Sequence, residues 1–311
     1  MSTPAIEFAN VTKVYRRRLA GQEIPALSDV SFAVMPGEVC AFLGPNGAGK
    51  TTSISILMGF LYADAGEIRV LGCAPGDVRA KQQIGFLPEN FAFYKYLNAE
   101  SLLRLHCTLA GRESQGQDAF IRDLLAKVHL DEYRRLKIGK YSRGMVQRLG
   151  IAQALAGDPR LLVLDEPTSG LDPAGRKEVR DLILSLKTAG NTVFLSSHIL
   201  SEVEQICDRA IIIDHGKLIR AGTLDELLAS SDRVELVANQ LTPEIEAAVV
   251  EWAGSVERGA QSVKITIGLQ HKRELAERLW AAGCDVISLT PLRSSLEEFF
   301  LKLVSHDGGA S

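Results

Sequence analysis

No apolar run in these 311 residues reaches the roughly 18 residues that a helix needs to cross a bilayer, so the chain is not expected to span a membrane. Its opening, MSTPAIEFANVTKVY, has no basic stretch followed by an apolar core, and no secretory signal is expected there. An excess of positive charge is also missing. The formal net charge is −3, which supplies no field for a nucleic-acid partner. The five cysteines (Cys40, Cys73, Cys107, Cys207 and Cys284) are odd in number and never spaced as CxxC. That excludes a disulfide framework or a zinc site from the expectations and suits a reducing compartment. Internal repeats and low-complexity segments are absent from the sequence as well.

What is present is ordinary globular material. Hydrophobic residues make up 46% and charged residues 23%, and the length suits one large domain with a small one, or two domains. Short β-rich runs lead (AIEFANV, DVSFAV, GEVCAFLG), a helical pattern follows Lys50, and GEIRVLG reads as a strand between glycines. Helical spacing returns in AESLLRLHCTLAG and FIRDLLAKVHL. RLLVLDEP and NTVFLSSH read as strands separated by a helix, AGRKEVRDLILSLKTAG, and His215-Gly216 marks a hairpin. Strands alternating with helices predict a parallel sheet with helices on its faces. Beyond about Ser230 the pattern restarts: RVELVA, VKITIG and DVISLT as strands, KRELAERLWAAG and SSLEEFFLKLVS as helices. That predicts a small α/β appendage with its boundary at 230–232.

Gly44, Pro45, Asn46, Gly47, Ala48, Gly49, Lys50, Thr51 and Thr52 match the P-loop pattern G-x-x-x-x-G-K-[ST] in the required strand-to-helix context. Glycines there let backbone N–H groups wrap phosphates, Lys50 reaches the β/γ oxygens, and the Thr51 hydroxyl is placed for Mg²⁺. The expected ligands are ATP and Mg²⁺. In RLLVLDEP, four apolar residues deliver Asp165 to the carboxyl edge of the sheet, where such sheets bind ligands. Asp165 is the expected Mg²⁺ partner of Thr51, and Glu166 the group that polarises an attacking water. His198 ends the next strand; a structural histidine and a γ-phosphate sensor are both open readings. A second anion site is suggested by KYSRGMVQRLG, where a Ser and a Gly open a helix and no acidic residue appears before Asp158.

These motifs, in this order and spacing, resemble the ATP-binding cassette (ABC) ATPases over about residues 5–228. Tyr15 stands where that family stacks an aromatic on adenine, Tyr141 to Met145 where it carries its signature loop, Ser169 to Asp172 as its D-loop, and His198 as its switch histidine. The guanine-reading motif N-K-x-D is missing, which disfavours a GTPase. The resemblance implies a P-loop NTPase of ABC type: a RecA-like parallel sheet with an antiparallel β subdomain and a helical subdomain at about 92–157. That cassette would occupy 5–230, followed by a small α/β domain at 231–306. It also implies that Ser142 and the Gly144 amide contact the γ-phosphate of ATP held by the P-loop of a second cassette, with Asp172 beside them. One chain would then carry half of each site, as a homodimer working with integral membrane permease subunits on the cytoplasmic face of the inner membrane.

Three positions depart from the common pattern. Arg143 replaces a signature Gly and adds charge, Met145 replaces Gln, and Glu89 stands where Gln is frequent. Glu89 would strengthen metal contact or repel phosphate, and similar LPE loops accompany exporter-type permeases. The aromatics Phe91, Phe93, Tyr94 and Tyr96 read equally as a permease-receiving groove or as helical-subdomain core. Arg16–Arg18 reads as a solvated hairpin tip, with anionic lipid as the alternative. The apolar stripe Leu296, Phe299, Phe300 and Leu303 reads as packing within the appendage, with a dimer contact or a regulatory role as the alternative. An exporter ATPase is the first functional expectation. A soluble ABC ATPase acting on ribosomes or DNA is the alternative, opposed by the single cassette and by an interval of about 115 residues from P-loop to Asp165 with no long coiled coil. A regulator without turnover is opposed by the intact Lys50, Asp165, Glu166 and His198.

Overall fold

The computed structural model describes residues 3–16, 23–112, 115–228, 233–252, 254–259, 262–291 and 296–297. Its contacts divide the chain into two compact units, Met1–Thr223 and Leu224–Ser311; the boundary expected at 230–232 lies outside the described residues.

The first unit begins with β1 (Ile6–Arg16), β2 (Glu23–Val34) and β3 (Val39–Leu43), followed by α1 (Lys50–Leu57) and β4 (Ala65–Val70). β1, β2 and β4 form an antiparallel sheet in the order β2-β1-β4. Then come α2 (Val78–Lys81), β5 (Ile84–Leu87), α3 (Ala99–Leu109), α4 (Gln117–Lys127), α5 (Arg143–Ala154) and β6 (Leu161–Leu164). The unit closes with α6 (Pro173–Thr188), β7 (Thr192–Ser197), α7 (Leu200–Ile206), β8 (Arg209–Asp214) and β9 (Lys217–Thr223). A six-stranded sheet runs β5-β6-β7-β3-β8-β9, parallel except for the last pair, which turns at His215 and Gly216, both at positive φ.

β3, β6 and β7 are buried along their whole length, as expected of parallel strands covered on both faces. The two sheets share a core with α1. Phe8 stacks on Phe32 (centroids 4.5 Å apart), which meets Phe42 (5.6 Å) and Phe194 (6.2 Å), and Ile54, Ile56 and Leu57 complete the cluster. Buried aromatic pairs of this kind stabilise beyond their area. α3, α4 and α5 pack on one another as a separate helical layer, with Leu103, Leu125 and Leu149 inaccessible.

Register aligns the functional edge. Leu87 pairs with Leu164, Leu164 with Leu195, and Leu43 with Ser197. Four strands therefore end nearly level, and the residues that follow them leave the sheet at one rim.

The second unit holds α8 (Leu224–Leu228), β10 (Arg233–Ala238), α9 (Pro243–Glu251), β11 (Ser255–Arg258), β12 (Val263–Gly268), α10 (Lys272–Ala281) and β13 (Val286–Pro291). From β10 onward this is a β-α-β-β-α-β unit with the antiparallel order β11-β12-β10-β13. Val234, Leu236, Ile265 and Ile267 pack against Ile245 and Val249 of α9 and Leu275 and Leu279 of α10, so both helices cover one face. The terminal SSLEEFFLKLVS segment lies outside the described residues, apart from a buried Leu296 and an exposed Glu297.

Hydrophobic period does not announce α9, β11, β5 or α7. α9 is started by Thr242, whose hydroxyl accepts from the Ile245 N–H at 3.4 Å, with Pro243 in the first turn. That Thr-Pro start is a capping signal rather than a periodic one. β5 and β11 have four residues each, too few for a period to register.

Candidate functional site

The loop between β3 and α1 wraps the end of its own helix. Gly49 has φ +108°, and a Cβ there would stand 2.6 Å from the Ala26 carbonyl oxygen. Only glycine combines that backbone with that approach. Gly44 and Ala48 lie beneath the loop, buried, while Pro45, Asn46 and Gly47 are exposed above it. The first N–H groups of α1 have no side-chain cap, so they are free to meet an anion.

Around this loop lies a cavity of about 480 Å³. Pro45, Asn46, Gly47, Gly49, Lys50, Thr51 and Thr52 form its floor, and Glu89, Asp165, Glu166 and His198 form one wall. Tyr15 and Ile24 enter from β1 and β2, with the Tyr15 hydroxyl 3.5 Å from Thr52 Oγ1. Twelve residues expected at the nucleotide thus come from five strand ends and one helix to a single cavity. Ser142, Gly144 and Asp172 do not join them. They line a different cavity of about 500 Å³, with Arg143 and Met145. Ser142 caps α5, its Oγ accepting from the Met145 N–H at 3.2 Å, and Asp172 caps α6 by accepting from the Gly175 N–H at 2.9 Å.

The buried polar groups at the rim form one network. Lys50 Nζ donates to the carbonyl oxygens of Gly44 (2.6 Å) and Pro45 (3.3 Å) and stands 3.8 Å from Glu166 Oε1. Glu166 Oε2 is 2.7 Å from His198 Nδ1. Glu166 itself sits at φ +50°, a left-handed conformation that a Glu seldom adopts and that persists where surroundings enforce it. The enforcing group is Ser196, whose Oγ accepts from the Glu166 N–H at 2.8 Å and donates to Asp165 Oδ1 at 2.6 Å. Burial pushes the Asp165 carboxyl above its ordinary value; the Ser196 bond pulls it down, the Glu166 charge raises it and Lys50 lowers it.

Ser196 is the functional-site residue that motif reading misses. Its signal is a hydroxyl inside a strand whose six residues are all buried, since a buried hydroxyl must find partners. Ser196→Ala leaves the Glu166 N–H unpaired and removes a donor from Asp165. It should lower kcat for ATP about tenfold and stability by about 1–2 kcal/mol. Phosphate-release kinetics beside thermal unfolding check this, and a lowered Tm with unchanged kcat would reduce Ser196 to a purely structural part.

Among the described residues no group of three or more His, Cys, Asp or Glu can hold a metal by itself. The buried Asp165 carboxylate, the Thr51 hydroxyl and Glu89 on one cavity fit instead a hard cation that brings phosphate oxygens and waters with it.

Of the four ring-bearing residues after Glu89, Phe91 and Phe93 are half-buried, with ring centroids 5.3 Å apart. Tyr94 and Tyr96 are 64% and 69% exposed, which removes them from the helical core. Arg16 pairs with Glu23 at the open end of the β1–β2 ladder, whereas Arg17 and Arg18 lie outside the described residues. Arg143 does not sit on the Lys50 cavity of its own chain.

Comparison with known proteins agrees with this geometry. A family described as "ABC transporter" matches residues 27–169. An uncharacterized ABC transporter ATP-binding protein of Nostoc sp. is 38% identical over 316 residues, covering 97% of this chain and 91% of that protein. The bacitracin transport ATP-binding protein of Bacillus licheniformis is 36% identical, covering 98% of each chain, and the Nod factor export ATP-binding protein I of Rhizobium etli is 32% identical, covering 99% and 95%. Among solved structures, an ATP-binding subunit of an ABC transporter superposes with TM-score 0.64 at 30% identity, over 73% of this chain and 92% of its own. A dimeric ATP-binding cassette in a post-hydrolysis state with ADP and Pi gives TM-score 0.63 at 25% identity, over 70% and 98%. With that ABC-type P-loop NTPase fold and those relatives, the chain belongs to the ABC transporter ATP-binding protein family and is an ATP-binding ATPase subunit of that kind.

Proposed function

We propose that this chain powers a membrane exporter as one of two cassettes that hold MgATP between them and drive a separate permease. The observation that carries the reading is the split of the phosphate-binding groups. Lys50, Thr51, Asp165, Glu166 and His198 line one cavity, and Ser142 and Gly144 line another. A chain in which both sets serve one nucleotide must borrow the second set from a partner. That solved cassettes of this fold include dimers supports the reading. The named activities of the relatives from Bacillus licheniformis and Rhizobium etli, bacitracin transport and Nod factor export, support export.

In this scheme Tyr15 stacks on adenine and the Gly44–Gly49 backbone cradles the phosphates. Lys50 leaves its carbonyl partners for the β/γ oxygens, while Ser142 and the Gly144 amide of the other cassette close on the γ-phosphate with Asp172 alongside. Thr51, Asp165 and Glu89 would hold Mg²⁺, which neutralises the developing phosphate charge. Glu166 takes the proton of the attacking water, and His198 orients Glu166 through the 2.7 Å contact. Hydrolysis removes the charge that bridges the two chains and lets them part. The exposed Tyr94 and Tyr96, with rings 5.6 Å apart, offer an aromatic surface for a permease segment. That partnership puts the subunit on the cytoplasmic face of the inner membrane. The cassette is assigned to 5–230, with its helical part at about 92–157, and the accessory domain to 231–306.

The experiment is a crosslink across the proposed seam. In an Asn46→Cys, Ser142→Cys chain with ATP and Mg²⁺, oxidation should join two polypeptides and double the mass on a non-reducing gel. A crosslink formed only within one chain, or one indifferent to ATP, would falsify the arrangement.

A further inference from the structure

Arg143 occupies the first position of α5, and its side chain turns back onto its own chain. Nη2 donates to the Ser169 carbonyl oxygen at 3.4 Å, and the guanidinium fills the place a Cβ on Gly170 would need. Gly170 is at φ +66°, so the loop gives up a side chain there and the Arg143 head group lies against bare backbone. One residue on, Gly144 has no such neighbour.

The loop so touched has two other anchors. At its start, the Thr168 hydroxyl donates to the buried Glu202 Oε2 at 2.6 Å. At its end, Arg176 Nε donates to the Leu171 carbonyl at 3.0 Å, and Asp172 caps α6. Its middle, Ser169–Gly170, is joined to Glu166 by the Ser169 N–H, which donates to the Glu166 carbonyl at 3.1 Å. The side chain that reaches this middle from α5 is Arg143. Arg143 also lines two cavities at once: the one that holds Ser142 and Gly144, and one of about 480 Å³ that holds Glu89, Glu166 and Ser169. It stands between the half-site meant for a partner's nucleotide and the chain's own Glu166.

We propose that Arg143 is a positioning residue that ties the first turn of α5 to the middle of the 168–172 loop. Seating a phosphate at Ser142 then moves Ser169, and with it Glu166, within the same chain. Each cassette thereby registers through Arg143 that its partner's nucleotide is in place before its own Glu166 is aligned. The inference rests on the bridging arrangement proposed above. A glycine at this position, as in the common signature, has no side chain with which to make the tie.

The test compares Arg143→Met, which keeps the aliphatic reach without the donors, with Arg143→Lys, which restores a charged donor. Both are made in the full chain and again in a Glu166→Gln background. In Arg143→Met, kcat for ATP should fall roughly five- to tenfold, the scale of one ordinary hydrogen bond, with KM within about twofold. Arg143→Lys should recover at least half of kcat. By light scattering, Glu166→Gln with Arg143→Met should pair at the same ATP concentration as Glu166→Gln alone. Wild-type kcat in Arg143→Met overturns the proposal. So does a large loss of ATP-dependent pairing in the double variant, which would make Arg143 a direct contact to the partner's phosphate. If Glu166→Gln alone remains monomeric with ATP, the bridging arrangement itself fails and this proposal goes with it.

Discussion

Glu166→Gln is expected to yield a chain that binds ATP, pairs with a second copy in its presence, and turns over about 10²–10³-fold more slowly, within the usual contribution of a positioned general base. Three contacts set this expectation. The Glu166 backbone is fixed by Ser196 at 2.8 Å, and a glutamine, having the same shape, keeps that geometry. One carboxylate oxygen faces His198 Nδ1 at 2.7 Å, a contact a glutamine amide can also make in either orientation. The other oxygen stands 3.8 Å from Lys50 Nζ, an ion pair nine-tenths buried on both sides that competes with phosphate for the lysine. Replacing the carboxylate removes the competitor, so ATP affinity should hold or rise while kcat collapses. Phosphate release and light scattering with ATP measure the two arms. Turnover above a tenth of the wild-type rate would take the proton-accepting role away from Glu166.

The rim chemistry was legible in the sequence because its strands are buried on both faces. Runs such as LLVL before Asp165 and VFLSS before His198 read as unbroken apolar or small segments, and the motif residues follow them directly. Register does the rest, since level strand ends bring sequence-distant loops to one rim. Ser196 was hidden because a single hydroxyl in such a run carries no periodic signal; only its partners reveal it. Arg143 could be flagged as an extra charge beside the signature, but not aimed. A long side chain at a helix start can reach outward or fold back, and the open backbone of Gly170 decides for the second. The aromatic run after Glu89 divides for a similar reason: Phe91 packs against Gly150 of α5, whereas the tyrosine hydroxyls keep Tyr94 and Tyr96 compatible with solvent. In the second unit, the strands with alternating burial, β10 and β12, were readable, and the four-residue β11 was not.

Asp165→Asn should separate stability from function at one atom. Asp165 is 5% exposed, and burial holds its carboxyl above the ordinary value, with Ser196 and Lys50 only partly opposing. A carboxyl raised in the folded state binds protons more readily there than in the unfolded chain. Its contribution to stability is therefore present at acid pH and lost as pH rises through the raised value. Above the raised value the ionised Asp165 is a cost to the protein without its ligand, because a buried charge without a full partner is unfavourable. Asparagine keeps the acceptor for the Ser196 hydroxyl and removes the charge. The variant should melt a few degrees higher than wild type without nucleotide, given about 2–4 °C per kcal/mol for a domain of this size, and its advantage should be larger at pH 7.5 than at about pH 4, near the ordinary aspartate value. With ATP and Mg²⁺ the order should reverse. The variant lacks the anionic oxygen that would hold the cation, so it should gain less from ligand and lose at least about a hundredfold in kcat. Thermal unfolding with and without MgATP at the two pH values reads both signs. An Asp165→Asn chain less stable than wild type when ligand-free at pH 7.5 would mean that Lys50 already neutralises the carboxylate, and that the charge is built into the fold rather than kept for the cation.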